Sequence, residues 1–376
     1  MIKIRVLIVD DSVVARKSIT EVLSADSAIE VAGVAANGKI GIAKIAQVCP
    51  DVVILDVEMP GWNGLETLTE IRKLYARLPV IMFSAWTQRG ASLTLDAFAR
   101  GASDYVAKPV GEFSPAEVQR TLRDQLIPKI KALCPRFKSP SNSSVRNPEK
   151  GLQQKSASRI HLAVPTANSS EGRIDVVAMG VSTGGPNALC EILPAIPKYF
   201  PVPILIVQHM PANFTEALSE RLNKMSQIRV VHGTNGVSLE RGTAYIAPGD
   251  FHMAVKRQST EVVMYLNQLP PENSCRPSVD VLFRSVVEAY GAGVLGVILT
   301  GMGQDGLRGC QFIREVGGQI IAQDEKSSVV WGMPGFVAKA GLADCVLPLH
   351  QIAIEIHNRV QKHRQISHHL EVDVCS

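Results

Sequence analysis

The sequence has no paired-cysteine spacing. Its seven cysteines, at 49, 134, 190, 275, 310, 345 and 375, are scattered, and no two form C-x-x-C. That pattern excludes a disulfide scaffold and points to reduced thiols in a cytoplasmic protein. Long apolar runs are also missing; none approaches the ~20 residues of a membrane span. Strong charge of one sign is missing too. Lys and Arg number 39 against 35 Asp and Glu, a formal net charge of +4, which argues for neither a nucleic-acid partner nor a membrane surface. There is no helix-turn-helix pattern and no concentrated basic recognition helix. No G-K-[ST] follows the Gly-rich turns, which disfavours a P-loop. His232 and His252 lack H-E-x-x-H or C-x-x-C companions, which disfavours a zinc signature. His363, His368 and His369 lie in a polar stretch and read as solvated. No internal repeat is visible. The opening MIKIRVLIVDD holds two acids and makes a poor secretory leader.

What is present is an ordinary globular composition, 46% hydrophobic and 20% charged over 376 residues, enough for two or three domains. Residues 1–127 alternate β-branched runs (5–10, 29–35, 51–57, 78–85, 103–108) with helical patterns such as SVVARKSITEVL. That alternation predicts a parallel, doubly wound α/β sheet. Residues 128–173 are rich in Ser, Pro, Asn and Lys/Arg and read as a flexible linker or a basic docking strip, although 126–133 fit a continued helix. Residues 174–365 return to α/β, with runs at 175–180, 203–209, 244–248, 261–266, 294–300 and 318–323. A β-hairpin insertion is expected around 244–266 and a last helix over about 350–363. The tail, 366–376, has no pattern.

Chemistry concentrates at the ends of these runs. Asp10, Asp11 and Asp56 follow two strands that a parallel sheet brings to one edge. Three crowded carboxylates need a counter-cation, and Mg2+ suits hard oxygen ligands. One of them can then act as a nucleophile toward phosphorus. Ser84 ends the fourth run and can donate to a phosphoryl oxygen. Lys108 ends the fifth and can pair with Asp56; Pro109 after it makes a cis bond worth testing.

In the second domain, GVSTG (180–184) is a literal G-x-S-x-G. It fits a serine at a strand-to-helix turn, and equally a Gly-rich anion cradle. A serine nucleophile needs a base, and the base an orienting acid. His209 ends PILIVQH, and Asp305 lies in TGMGQDG after VLGVILT. Ser182, His209 and Asp305 therefore each follow an apolar strand of one domain. Their order in the chain is not that of α/β-hydrolases, so a triad here belongs to a different sheet.

VLIVDDS, VILDVEMPGWNG, IMFSA and DYVAKPV resemble the response-regulator receiver domain, with its flavodoxin-like fold. GVSTGGPNAL, IVQHMP, SCRPSVDVLF, ILTGMGQDG and SSVVWGMPG resemble the catalytic domain of the CheB chemotaxis methylesterases. The resemblance implies phosphorylation of Asp56 by a chemotaxis histidine kinase, Mg2+ held by Asp10, Asp11 and Asp56, and sensing of the phosphoryl group by Ser84 and Lys108. It places Tyr105 at the aromatic switch position and leaves Trp86 as a bulky neighbour of Ser84. For the second domain it implies hydrolysis of glutamate γ-methyl esters on chemoreceptors and deamidation of receptor glutamines. No cofactor is implied for the ester chemistry. Ser182 would be the nucleophile, His209 the base and Asp305 the orienting acid. Thr183 and Met302 would lie near the oxyanion, and Arg276 would line the substrate cleft or form a structural ion pair. Val181 stands where alanine is common. Neither nucleic-acid binding nor membrane insertion is expected. A phosphorylation-controlled binding protein with anion-holding glycine loops, or an esterase outside chemotaxis, stays open at this point.

Overall fold

The computed structural model describes residues 2–85, 87–108, 114–134 and 172–372. In the first domain, β1 (Ile4–Val9), β2 (Ile29–Ala35), β3 (Val52–Asp56), β4 (Val80–Ala85) and β5 (Asp104–Lys108) alternate with α1 (Val13–Ser24), α2 (Gly38–Val48), α3 (Gly64–Leu74), α4 (Gln88–Ala99) and α5 (Pro115–Leu133). The strands are all parallel, in the order β2-β1-β3-β4-β5. Central strands of such a sheet are covered on both faces, so VVILD in β3 is buried throughout. Short polar side chains start the helices by accepting orphan N–H groups: Ser12, Asn37, Asn63 and Ser114, the last two in capping boxes with Glu66 and Glu117. The helix at the domain end reaches Leu133, six residues past the boundary expected at 127. The linker from 135 to 171, the Lys108–Pro109 bond and Trp86 lie outside the described residues.

The second domain has a seven-stranded, wholly parallel sheet in the order β14-β13-β12-β6-β7-β9-β8. Its strands and helices run β6 (Val176–Val181), α6 (Gly185–Ile192), β7 (Ile204–Gln208), α7 (Ala212–Met225), β8 (Arg229–His232) and β9 (Thr243–Ile246). The antiparallel β10 (His252–Gln258) and β11 (Glu261–Asn267) follow, then α8 (Val279–Tyr290) and β12 (Val294–Ile298). The chain closes with α9 (Leu307–Glu315), β13 (Gln319–Gln323), α10 (Met333–Lys339), β14 (Cys345–Leu347) and α11 (Leu349–Val372). The hairpin insertion exists, but it starts at 252. The run at 244–248 belongs to the main sheet, where β9 pairs with β7 and β8. The last helix continues through 366–372, which sequence pattern alone leaves as tail.

Two apolar layers cover this sheet. One is built under α6, α7 and α11 and includes Leu189, Phe214 and Ile356. The other lies under α8, α9 and the hairpin and includes Phe283, Ile313 and Met264. From β6 the chain steps to β7 on one side and later returns to β12 on the other. Parallel sheets bind ligands at the carboxyl ends of such a reversal. The three strand ends nearest it carry Ser182, His209 and, after a short loop, Asp305.

Candidate active site and phosphoryl-acceptor site

Ser182 follows β6 directly. Its N–H is bonded to Thr300 O at 3.0 Å, and its carbonyl accepts from Gly185 N at 2.8 Å and from Gln208 Nε2 at 3.1 Å. These bonds fix the turn and leave the hydroxyl without a hydrogen-bond partner among the described residues. Two glycines make room for the serine. Gly184 adopts φ +79°, a left-handed conformation that disfavours side chains. A Cβ at Gly301 would stand 2.8 Å from Ser182 Cβ and 2.5 Å from Met333 Sδ, so only glycine lets the loop after β12 pass there. Val181 is fully buried beneath the turn.

His209 reaches Asp305 through Nε2, at 2.8 Å from Oδ2. Its other nitrogen, Nδ1, is the one left to take a proton, and it faces Cys275 Sγ at 3.7 Å. Asp305 is 2% exposed, and its two oxygens are saturated. Oδ1 accepts from Asn273 Nδ2 and Ser278 Oγ, both at 2.8 Å, from Asp280 N at 3.2 Å and from Gly306 N at 3.1 Å; Oδ2 accepts from Val279 N at 2.7 Å. Ser278 is the N-cap of α8 but does not cap its own helix. The Asp305 carboxylate takes that place, at the positive end of the helix dipole. Burial alone would raise the Asp305 pKa. His209 and these donors outweigh it and hold the group at about 2. Burial disfavours the His209 imidazolium, yet the hydrogen bond to Asp305, with Cys275 helping, raises its pKa well above the ordinary value.

The N–H groups of Thr183 and Met302 meet no acceptor among the described residues. The Thr183 hydroxyl is already engaged: it donates to Asp104 Oδ2 of the first domain at 2.7 Å. Arg276 does line the cleft beside His209, and it is also ion-paired there. Its guanidinium holds Asp250 at 2.6 Å and donates to the carbonyls of Gln268 and Leu269 at 3.1 and 3.2 Å. Asn273 escapes motif reading, and Cys275 and Ser278, although inside SCRPSVDVLF, take no role from it. Only Ser278, a serine just before an amphipathic helical run, leaves a readable signal, and that signal suggests a helix cap.

In the first domain, Asp10 and Asp56 are buried and Asp11 is exposed. Lys108 Nζ lies 2.8 Å from Asp56 Oδ1 and 3.2 Å from Asp10 Oδ2. Asp10 Oδ2 and Asp56 Oδ2 nonetheless lack a directed hydrogen bond, although both are buried. Burial pushes the Asp56 carboxyl up to about 6, against the opposing pull of Lys108. Ligand oxygens of Asp10, Asp11 and Asp56 lie within 4.8 Å of one another. Asp56 Oδ2 has no partner and Asp10 Oδ2 only the Lys108 ammonium, and spare buried oxygen of this kind in such a cluster fits a hard divalent cation. Ser84 is buried and donates to Gly90 O at 3.2 Å. Tyr105 is buried rather than swung outward. Its ring stacks on Phe214 of the second domain at 4.7 Å and meets Phe98 edge-on at 6.0 Å. Arg221 of α7 and Asp96 of α4 add an ion pair at 2.7 Å. The first domain thus rests against the second, next to the Ser182 turn.

Two parallel sheets, one with a phosphoryl-acceptor type of carboxylate cluster and one with a serine–histidine–aspartate edge, define a receiver-linked hydrolase. Family models place it: a CheB methylesterase model matches residues 177–356, and a response regulator receiver domain model matches residues 6–118. A protein-glutamate methylesterase/protein-glutamine glutaminase of Trichodesmium erythraeum is 51% identical over 96% of this chain and 100% of its own length. One of the same description from a Nocardioides strain is 45% identical, with 96% of each chain covered. The crystal structure of the Thermotoga maritima CheB methylesterase catalytic domain is 41% identical, covering 50% of this chain and 99% of its own, with a TM-score of 0.49. The chain belongs to the CheB methylesterase family.

Proposed function

We propose that this protein hydrolyses glutamate γ-methyl esters on chemoreceptors, and deamidates receptor glutamines, under the control of its own receiver domain. The observation that carries the reading is the placement of Ser182, His209 and Asp305 at neighbouring strand ends, with the acid saturated by donors and the serine hydroxyl left free. Ser182 Oγ attacks the ester carbonyl while His209 Nδ1 takes its proton. Asp305 keeps the Nε2 proton in place and stabilises the imidazolium. The unengaged N–H groups of Thr183 and Met302 face the role of oxyanion donors, a contribution of about 3–4 kcal/mol for one good donor. The imidazolium returns its proton to the leaving methanol. Water then cleaves the acyl-enzyme by the same route. Glutamine differs only in that ammonia leaves.

For the receiver, Asp56 is the phosphoryl acceptor and a chemotaxis histidine kinase the donor. Asp10, Asp11 and Asp56 would hold Mg2+, which when bound neutralises the crowded carboxylates so that one can take a phosphoryl group. Ser84 and Lys108 would contact that group once attached. The Asp104–Thr183 hydrogen bond and the Tyr105–Phe214 stack support a docked receiver that limits access to Ser182. Phosphorylation then shifts the balance toward an open form, which takes only a few kcal/mol of differential stability. The unpaired state of the six described cysteines suits a reducing cytoplasm. Among the described residues no helix is long and apolar enough to cross a membrane. Release of methanol from methylated receptor, with and without a small phosphodonor, tests the reading. Phosphodonor is expected to accelerate release. Labelling of a residue other than Ser182 by a serine-directed phosphonate would overturn the assignment of the nucleophile.

A further inference from the structure

The sequence holds no zinc-binding spacing, yet the fold brings a histidine and a cysteine 66 positions apart to one point in the cleft. Cys275 Sγ lies 3.7 Å from His209 Nδ1. A single tetrahedral zinc, with Zn–S near 2.3 Å and Zn–N near 2.0–2.1 Å, would hold the two atoms about 3.5 Å apart. The observed separation is within a small side-chain rotation of that value. The other half of the ring is also prepared. Metal-bound histidines characteristically give their second N–H to a carboxylate, which fixes the tautomer and raises the basicity of the ligating nitrogen. Asp305 occupies that position at 2.8 Å from Nε2. His209, Cys275 and Asp305 form one of two groups of potential ligand atoms among the described residues, the other being the receiver's; with the Asp305 oxygens already filled by donors, His209 and Cys275 are left as the ligands. Both His209 and Cys275 line an open cleft, so water can fill the remaining coordination positions.

We propose that His209 Nδ1 and Cys275 Sγ form a binding site for a thiophilic divalent cation, Zn2+, and that its occupancy switches the esterase off. The metal takes the nitrogen that would receive the Ser182 proton. Binding releases the thiol proton and any proton on Nδ1, so affinity rises with pH. The inhibitory half of this inference rests on the triad reading; the binding half does not.

Cobalt(II) titrated into the full-length protein tests the site directly, because a thiolate ligand adds a sulfur-to-cobalt charge-transfer absorption that carboxylates and imidazoles do not. The band is expected in the wild type, is displaced by Zn2+, and is absent from Cys275→Ala and from the size-conserving Cys275→Ser. Zn2+ that saturates the band should suppress methanol release, and the Cys275 variants should need at least about tenfold more Zn2+ for the same fractional inhibition. No thiolate band at saturating cobalt, or a band that survives both substitutions, overturns the proposal. The band reports on the metal whatever the esterase does, so the site and the triad fail separately; Ser182→Ala decides the latter and should keep the band.

Discussion

The two sheet edges use the same topology to opposite ends. Asp56 and Asp305 both sit at the carboxyl edge of a parallel sheet, and both are about 2% exposed. Asp305 is met by six donors when His209 is counted, and its pKa falls to about 2. Asp56 keeps one oxygen bare and its pKa climbs to about 6. Burial raises both; the donors and the His209 charge at Asp305, against the like charge of Asp10 beside Asp56, decide the sign. A saturated carboxylate is inert and can only orient its neighbour. A half-satisfied one retains lone pairs for a cation and for a phosphorus centre. The difference between a structural acid and a reactive one is therefore legible in its unfilled hydrogen bonds.

The strongest test of this contrast is at the catalytic edge. Ser182→Ala should lower methanol release by roughly four to six orders of magnitude, as removal of a triad nucleophile does. Near-wild-type release would end the triad reading. Asp305→Asn should lower kcat by roughly 10^4, because the amide cannot hold the productive tautomer. It should also alter the pH profile. In the proposed mechanism the neutral imidazole is the base, and Asp305 raises the His209 pKa. Wild-type kcat/KM should therefore climb with pH through a midpoint above about 6.5, and the asparagine variant should bring that midpoint down. An unmoved midpoint would detach Asp305 from His209.

A smaller effect is expected between the domains. Asp104→Asn weakens a hydrogen bond to a charged acceptor, worth about 1.5–3 kcal/mol. Basal activity without phosphodonor should rise about tenfold or more, and the further gain on phosphorylation should shrink. A fall in basal activity would mean that receiver contact helps the reaction. The smallest effect concerns Asp56 itself. A carboxyl whose folded pKa is about 6, against about 3.9 unfolded, lends stability below pH 4 and loses it as pH rises through 6. Asp56→Asn should thus stabilise the Mg2+-free protein at pH 7 by on the order of 2 kcal/mol, visible as a raised Tm, with little gain at pH 4. An equal gain at both pH values would show that the buried charge is not the cause.

Much of this was legible in the chain because the strong signals are local. Apolar runs such as DVVILDV and VLGVILT mark central strands, and reactive residues follow them directly. Edges were harder. β8 has four residues and β14 three, and β10 ends in Lys-Arg-Gln, so none shows the run that burial on two faces imposes. The α11 end was underestimated for a related reason: its outer turns are largely polar and leave no apolar periodicity to read, whereas the apolar spacing of Leu126, Ile130 and Leu133 did mark the end of α5. The Asp305 cradle was invisible because four of its donors come from residues 25–32 positions away, two of them backbone N–H groups without a sequence signature. Cys275 stood inside SCRPSVDVLF without a role of its own until the fold set it against His209.

The capping of α8 by Asp305 has an evolutionary consequence. The residue serves the helix as well as the histidine, so a descendant that abandoned ester hydrolysis would still be selected to keep it. Ser182 has no such second employment: among the described residues its hydroxyl holds nothing in place. In sorting active from degenerate copies of this domain, loss of the serine would be the informative event, and survival of the aspartate would say little.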